Sequence, residues 1–293
     1  GERYITPRMK ELEAQILTAR DRISFMESEV FSKICEVVSL EVSKLKQSAE
    51  ALALIDVFNS FAVVAQNENY TKPNLNRSGR IHIEEGRHPV VENITTKSMF
   101  ISNDTDLNLE ESQIIILTGP NMSGKSTYLR QVGLITLMAQ IGSYVPAKSA
   151  NISVVDRIFT RVGLQDDLTA GQSTFMVEMV ETASILNQAT RHSLIILDEI
   201  GRGTSTYDGL AIARSVAEHL HNSSNLGCKT LFATHYHEMT SLSSELSRAK
   251  NYHVSVTEDN GNIVFLRRIV EGGADRSYGV HVARLAGIPS SIV

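Results

Sequence analysis

The sequence is poor in cysteine: Cys35 and Cys228 are its only two. Two thiols so far apart exclude a disulfide framework and a cysteine-built metal site. Both read as small apolar residues in a reducing cytosol. Long hydrophobic runs are also missing. The longest are short, such as Leu194-Ile195-Ile196-Leu197, and none approaches the roughly 20 residues of a membrane-spanning helix. The expectation is a chain without membrane association. Gly1-Glu2-Arg3-Tyr4 has no apolar h-region, so no secretory signal is read there. The missing initiator Met reads as a piece excised or processed from something longer. Excess positive charge is absent too, with 28 Lys and Arg against 33 Asp and Glu and a formal charge of -5. A dedicated nucleic-acid binder is usually basic. The balance counts against a DNA surface spread over the whole chain and leaves room for a local basic patch.

What remains is an ordinary globular mixture, 42% hydrophobic and 21% charged over 293 residues. That length suits one large domain with a real core and an appendage. The first stretch reads as a long helix. Met9, Leu12, Ile16, Ala19, Ile23, Met26 and Val30 alternate steps of three and four, a seam facing another helix. Pro7 suits its first turn. A second helix is predicted from about Ser48 to Ala65. Residues 1–66 are thus expected to form an α-helical hairpin, either packed on the main domain or serving as the base of a lever. Residues 67–80, with Pro73, Asn74, Asn76 and Gly79, read as a linker.

Residues 81–293 read as the main domain. Short β-like segments come first: Ile81-His82-Ile83, Pro89-Val90-Val91 and Phe100-Ile101. From Gln113 onward, apolar bursts alternate with helical stretches. The bursts are Ile114 to Leu117, Ile158-Phe159, Leu194 to Leu197 and Leu231-Phe232. Continuous apolar runs of this length fit strands buried on both faces of a largely parallel sheet. The fold class is α/β.

Gly119-Pro120-Asn121-Met122-Ser123-Gly124-Lys125-Ser126, followed by Thr127, matches the phosphate-loop pattern G-x-x-x-x-G-K-[ST] between a strand and a helix. Its glycines let backbone N–H groups turn inward around phosphates. Lys125 would reach the β- and γ-phosphates, and the Ser126 hydroxyl would ligate Mg²⁺. The helix N-terminus adds a favourable dipole for an anion. The expected cofactors are ATP or ADP with Mg²⁺. The run Leu194 to Leu197 delivers Asp198 to a sheet edge, where it can hold Mg²⁺ through water. Glu199 follows, placed to polarise an attacking water as general base. Thr230 to Thr234 reads as another strand reaching the same edge, and His235 after it could sense the γ-phosphate and orient water. Between these motifs, Ser173 and Thr174 can cap a helix starting at Phe175. Gly201-Arg202-Gly203 reads as a flexible loop or a plain turn.

Taken together, these residues resemble the ATPase domain of the MutS family, within the ABC-type branch of P-loop ATPases. The resemblance rests on Gly119 to Thr127, on Ser173-Thr174-Phe175-Met176-Val177-Glu178-Met179, on Asp198 to Thr206, and on Ala233-Thr234-His235-Tyr236. Gly86-Arg87-His88-Pro89-Val90-Val91-Glu92, Ser277-Tyr278-Gly279 and Glu2-Arg3-Tyr4 add to it. It implies paired ATPase domains, with Ser173 contacting the γ-phosphate held by a second MutS-type subunit. It implies that Phe100 stacks on adenine, with Arg267 as a second adenine-side residue and Asn121 and Met122 beside the phosphates. It further implies mismatched duplex DNA as a partner through other domains, and a MutL-type downstream repair factor. The location it implies is cytoplasmic, nucleoid-associated in a bacterium and nuclear or organellar in a eukaryote. No mismatch-reading Gly-x-Phe-Tyr-Glu segment and no clamp is found. The chain stops at Ile292-Val293, before a C-terminal dimerisation element would be complete. Two other readings are an ABC-type transporter motor and an assembly module that binds nucleotide but barely hydrolyses it. Ala170 to Thr174 lacks the Leu-Ser-Gly-Gly-Gln of the first, and Lys125, Ser126, Asp198, Glu199 and His235 together argue against the second.

Overall fold

The computed structural model describes residues 6–94, 100–120, 123–163, 174–259, 262–273 and 287–289. It divides into two units, residues 1–60 and 61–293.

In the first unit, helix α1 spans Pro7–Leu40. Thr6 caps it, its side chain accepting the Met9 N–H at 3.3 Å, and Pro7 fills the first turn. Helix α2, Val42–Asn67, starts here and runs into the second unit. Only Glu41 separates the two helices, whereas reversing an αα-hairpin takes about two to five residues. Neither helix buries a single residue. The Met9-to-Val30 seam stays in the open, with Ile16 72% exposed. The expected hairpin is therefore not supported, because the helical pattern continues through the segment that would have had to turn. The reading that no segment approaches the length of a membrane span also needs correction. By length and composition alone α2 is long and apolar enough to cross a bilayer. The polar residues within it hid that span from a search for unbroken apolar runs.

The second unit holds two sheets. Its strands are β1 (Asn74–Asn76), β2 (Ile81–Gly86), β3 (Asn103–Leu107), β4 (Ile114–Thr118), β5 (Ser149–Ser153), β6 (Ile158–Arg161), β7 (Leu194–Asp198), β8 (Lys229–Ala233), β9 (Ala249–Asp259) and β10 (Asn262–Glu271). The smaller sheet has the order β1-β5-β2-β3 and the larger β10-β9-β4-β8-β7-β6. In the larger sheet all neighbours are parallel except β10 with β9. A mixed, mostly parallel sheet is what the apolar bursts predict. Helices α3 (Pro89–Ile94), α4 (Lys125–Gln140), α5 (Thr174–Gln188) and α6 (Thr206–Asn222) complete the frame.

Strand β4 shows why its run is continuously apolar. Ile115 and Leu117 enter the cluster that holds Leu129, Val132 and Ile135 of α4 and Ile81 and Ile83 of the small sheet. Ile114 and Ile116 face the other way, into the cluster of Ala213, Val216 and Leu220 of α6. All four are fully buried. Truncating one to Ala leaves a cavity and costs about 2–5 kcal/mol.

Two local expectations are overturned. Pro89-Val90-Val91 is helical, not extended. The buried His88 ring accepts the Val90 and Val91 N–H groups on Nδ1 at 3.2 and 3.3 Å, and Pro89 opens the helix. Burial lowers the His88 pKa, which keeps that nitrogen free to accept. The capped turn outweighs the β preference of two valines. Phe100-Ile101 lies just ahead of β3 rather than in a strand. The segment 67–80 is also more than a linker. Tyr70 is buried, Thr71 bridges Val145, and Asn74–Asn76 pairs with β5. Beside it, Arg87 donates to Glu68 O at 3.0 Å and Asn69 O at 3.1 Å, and pairs with Glu92 at 3.3 Å.

Candidate active site

Three neighbouring strands deliver three motifs to one edge of the large sheet. β8 lies between β4 and β7. Ala233 is in register with Leu117 on one side and Asp198 on the other. The Glu199 N–H donates to Ala233 O at 2.9 Å, and the Thr234 N–H to Leu117 O at 3.0 Å. Gly119, Glu199 and His235, each one or two residues beyond these, therefore emerge side by side.

The Gly119 loop needs its glycines. Gly119 has φ +146° and Gly124 φ +106°, and Gly124 caps α4 without a side chain. Both lie where only glycine is at ease. Ser123 Oγ donates to Pro120 O at 2.7 Å, and Lys125 Nζ to Gly119 O at 2.7 Å and Pro120 O at 2.9 Å. Lys125 is buried, and that burial lowers its pKa against the pull of Glu199 and Asp198. Ser126 and Thr127 occupy the first turn of α4, both partly exposed.

Asp198 ends β7, almost fully buried. Burial raises its carboxyl pKa, opposed by a hydrogen bond with the Ser126 side chain. Its Oδ1 has no hydrogen-bond partner among the described residues. A buried, orphaned carboxylate oxygen beside a serine hydroxyl fits an ion that takes few protein ligands. Mg²⁺ is such an ion, held by one or two carboxylates with waters and phosphates completing its shell. No cluster of three or more His, Cys, Asp or Glu that could hold a metal by itself occurs among the described residues.

Glu199 adopts φ +60°, rare for a side-chain-bearing residue. That twist turns its carboxylate across the edge toward His235 and Arg202. Oε1 lies 2.5 Å from His235 Nε2, and Oε2 pairs with Arg202. The His235 contact, with Arg202 and Lys125 adding to it, outweighs burial and pulls the Glu199 pKa to about 2. A cleft of about 210 Å³, lined by Glu199, Arg202, Thr234, His235 and Tyr236 among others, opens beside the pair. Typical ligand pockets begin at about 300 Å³, so this cleft suits water and a terminal group rather than a whole nucleotide.

Lys125, Ser126, Asp198, Glu199 and His235 thus converge as the motif spacing predicts. Gly119, Pro120, Ser123 and Gly124 form the loop around them. Arg267 lies on the edge strand β10, and Phe100 lies three residues ahead of β3. Arg267 sits in a bulge of β10 at φ +54°. Asn103 Nδ2 donates to Ile101 O at 3.3 Å and Arg267 O at 3.0 Å, and Asn103 Oδ1 accepts the Ile269 N–H at 2.7 Å. One buried side chain therefore gathers the segment after Phe100 and the bulge at Arg267. Asn121, Met122 and Ser173 fall outside the described residues, as does Ser277-Tyr278-Gly279. The sequence reading missed Arg202 as a partner of Glu199. Its only signal was the spacing of three residues from an acid at a strand end.

The domain description MutS domain V matches residues 115–293. DNA mismatch repair protein MutS of Lachnoclostridium phytofermentans is 58% identical over all of this chain, which covers 31% of that protein. MutS of Clostridium botulinum strain Okra and of Clostridium kluyveri are each 56% identical over the whole chain, which covers 31% and 34% of them. The chain thus spans about a third of the length of the curated relatives it matches. With the domain matched across most of its length and the same kinship running through the helices ahead of it, the chain belongs to the MutS family of DNA mismatch repair proteins.

Proposed function

We propose that this chain binds ATP with Mg²⁺ at an ABC-type phosphate loop and hydrolyses it. That turnover sets the conformation of a DNA mismatch repair clamp. The observation that carries the reading is the single sheet edge where Lys125, Asp198, Glu199 and His235 meet.

The loop from Gly119 to Thr127, including Asn121 and Met122, cradles the phosphates. Lys125 exchanges its two loop carbonyls for β- and γ-phosphate oxygens. Mg²⁺ supplies charge neutralisation at those oxygens when bound, with Ser126 and Asp198 as its protein ligands. Glu199 accepts a hydrogen bond from the attacking water. At a pKa near 2 it is a weak base while His235 holds it. His235 turning to the γ-phosphate removes the chief cause of that depression, so Glu199 gains basicity only when a terminal phosphate is in place. Phe100 and Arg267 take the adenine side.

Ser173 completes the site of a second MutS-type subunit, so the working unit is a pair. Mismatched duplex DNA is engaged through the rest of the full-length protein, and a MutL-type factor acts downstream. The exposed Met9-to-Val30 seam of α1 transmits movement to those parts. The protein works in the cytoplasm on nucleoid DNA, as its bacterial relatives suggest, and not at a membrane.

The test is phosphate release by the intact protein under excess ATP. Glu199→Gln should retain ATP binding and lose about 10²- to 10⁴-fold in turnover. Turnover that survives this change would move the chemistry to another residue.

A further inference from the structure

Glu178 has no part in the chemistry above. It lies in the second turn of α5, 5% exposed, and a buried carboxylate is costly unless paired and hydrogen-bonded. Its Oε2 is 3.7 Å from Arg161 Nη2 at the end of β6, itself buried. Its Oε1 makes a far shorter contact, accepting the Gly201 N–H at 2.5 Å. A carboxylate kept only for an ion pair would hold its closest contact on the guanidinium. Here Arg161 lies closer to Glu181, at 3.0 Å, and the tight bond of Glu178 goes to one peptide.

That peptide belongs to the loop carrying Glu199 and Arg202. Gly201 is held on both sides, since the Tyr236 hydroxyl donates to its carbonyl oxygen, in the following peptide, at 2.9 Å. Gly201 has φ +88°, and a Cβ there would lie 2.4 Å from Gly209 O, so the loop packs directly on the α6 backbone with no space for a side chain. A second contact follows one turn earlier on α5. A Cβ on Gly203 would lie 2.9 Å from Phe175 Cβ. α5 therefore touches the loop at Gly201 and Gly203, and between them Arg202 pairs with Glu199.

We propose that Glu178 is a positioning residue for hydrolysis. Its carboxylate fixes the Gly201 peptide, and through it the orientation of Glu199 and Arg202, so that α5 and the hydrolytic loop move as one piece. The inference rests on the ATPase reading above. A push on the first turn of α5 then reaches Glu199 without passing through the nucleotide.

The test uses the intact protein with Glu178→Ala, Glu178→Gln and Glu178→Asp. The first readout is hydrogen exchange at the Gly201 amide, measured without nucleotide. The second is kcat and KM for ATP. Glu178→Ala should speed Gly201 exchange at least about tenfold and lower kcat about 10- to 100-fold, the span expected for a hydrogen bond to a charged acceptor. KM should stay within about threefold. Glu178→Gln keeps an acceptor at the same reach and should restore most of both. Glu178→Asp keeps the charge near Arg161 but is one methylene too short, so it should behave like Ala. It also serves if the alanine variant fails to fold. Wild-type kcat in Glu178→Asp, or kcat and nucleotide-binding capacity falling together in step with melting temperature, would overturn the proposal. Unchanged Gly201 exchange in every variant would do so whatever the turnover. Absent turnover in the unmutated protein, with Gly201 exchange still governed by Glu178, would instead sink the ATPase reading and leave the structural link standing.

Discussion

Glu199 Oε1 sits 2.5 Å from His235 Nε2, and this contact is the largest cause holding the Glu199 carboxyl at about 2, below its ordinary 4.5. A depressed folded-state pKa contributes stability that is full above about pH 4.5 and is lost as pH falls toward 2. His235→Ala should raise the Glu199 pKa and flatten the loss of melting temperature over that window. Melting curves at half-unit steps from pH 5 to pH 2 check this. Equal slopes for the two proteins would mean the pair adds nothing to stability.

Lys125 is the buried cation of the phosphate loop among the described residues, and its ammonium spans two loop carbonyls. Charge-assisted hydrogen bonds are worth about 1.5–3 kcal/mol each. Lys125→Ala should therefore weaken ATP binding by about tenfold or more in titration calorimetry. An affinity equal to that of the parent would remove Lys125 from the phosphate site.

Gly209 lies in the first turn of α6, where alanine ordinarily stabilises a helix by about 0.5–1 kcal/mol. Here the sign should reverse. A Cβ at Gly209 would lie 2.2 Å from both Gly201 O and Tyr236 Oη. Relieving that overlap should cost about 1–3 kcal/mol and displace the loop that carries Glu199. Gly209→Ala should melt lower than the parent and turn over more slowly. A stabilised variant would show that the two backbones are not in contact.

Asn103 spends both ends of its amide on the segment after Phe100 and on the β10 bulge. Asn103→Ala leaves the Ile269 N–H without its acceptor, at a cost of about 1–3 kcal/mol. If Phe100 and Arg267 hold the adenine, KM for ATP should rise several-fold while kcat is nearly kept. A fall in kcat at constant KM would place this bulge with the hydrolytic groups instead.

The parts of this site that could be read in advance share one property. β4 and β7 are buried on both faces, so their residues are apolar up to the polar residue that ends each, Thr118 and Asp198; β8 is as fully buried, opens on Lys229 and Thr230, and ends at Ala233, one residue before Thr234. The motif after each strand is local and fixes its own position. The parts that escaped depend on contacts across the chain. Glu178 reads as an ordinary helical acid until folding sets it against Gly201, 23 residues away. Asn74 to Asn76 reads as linker because a three-residue edge strand with one exposed leucine between two asparagines is too short to show an apolar pattern. Val90 and Val91 mislead for a different reason. Their helix is decided by the ring of His88, a residue that no propensity scale counts as a strong cap.

The place of β8 between β4 and β7 has a consequence for how such a chain can vary in length. Its backbone is hydrogen-bonded on both sides, and Ala233 fixes the alignment of the Gly119 loop and of Glu199 together. Adding or deleting one residue between Lys229 and Ala233 would turn every later side chain of the strand to the opposite face. His235 would then leave Glu199, although no residue of the site had been replaced. Descendants of this sequence can trade side chains along β8, but the number of residues from Lys229 to His235 cannot drift.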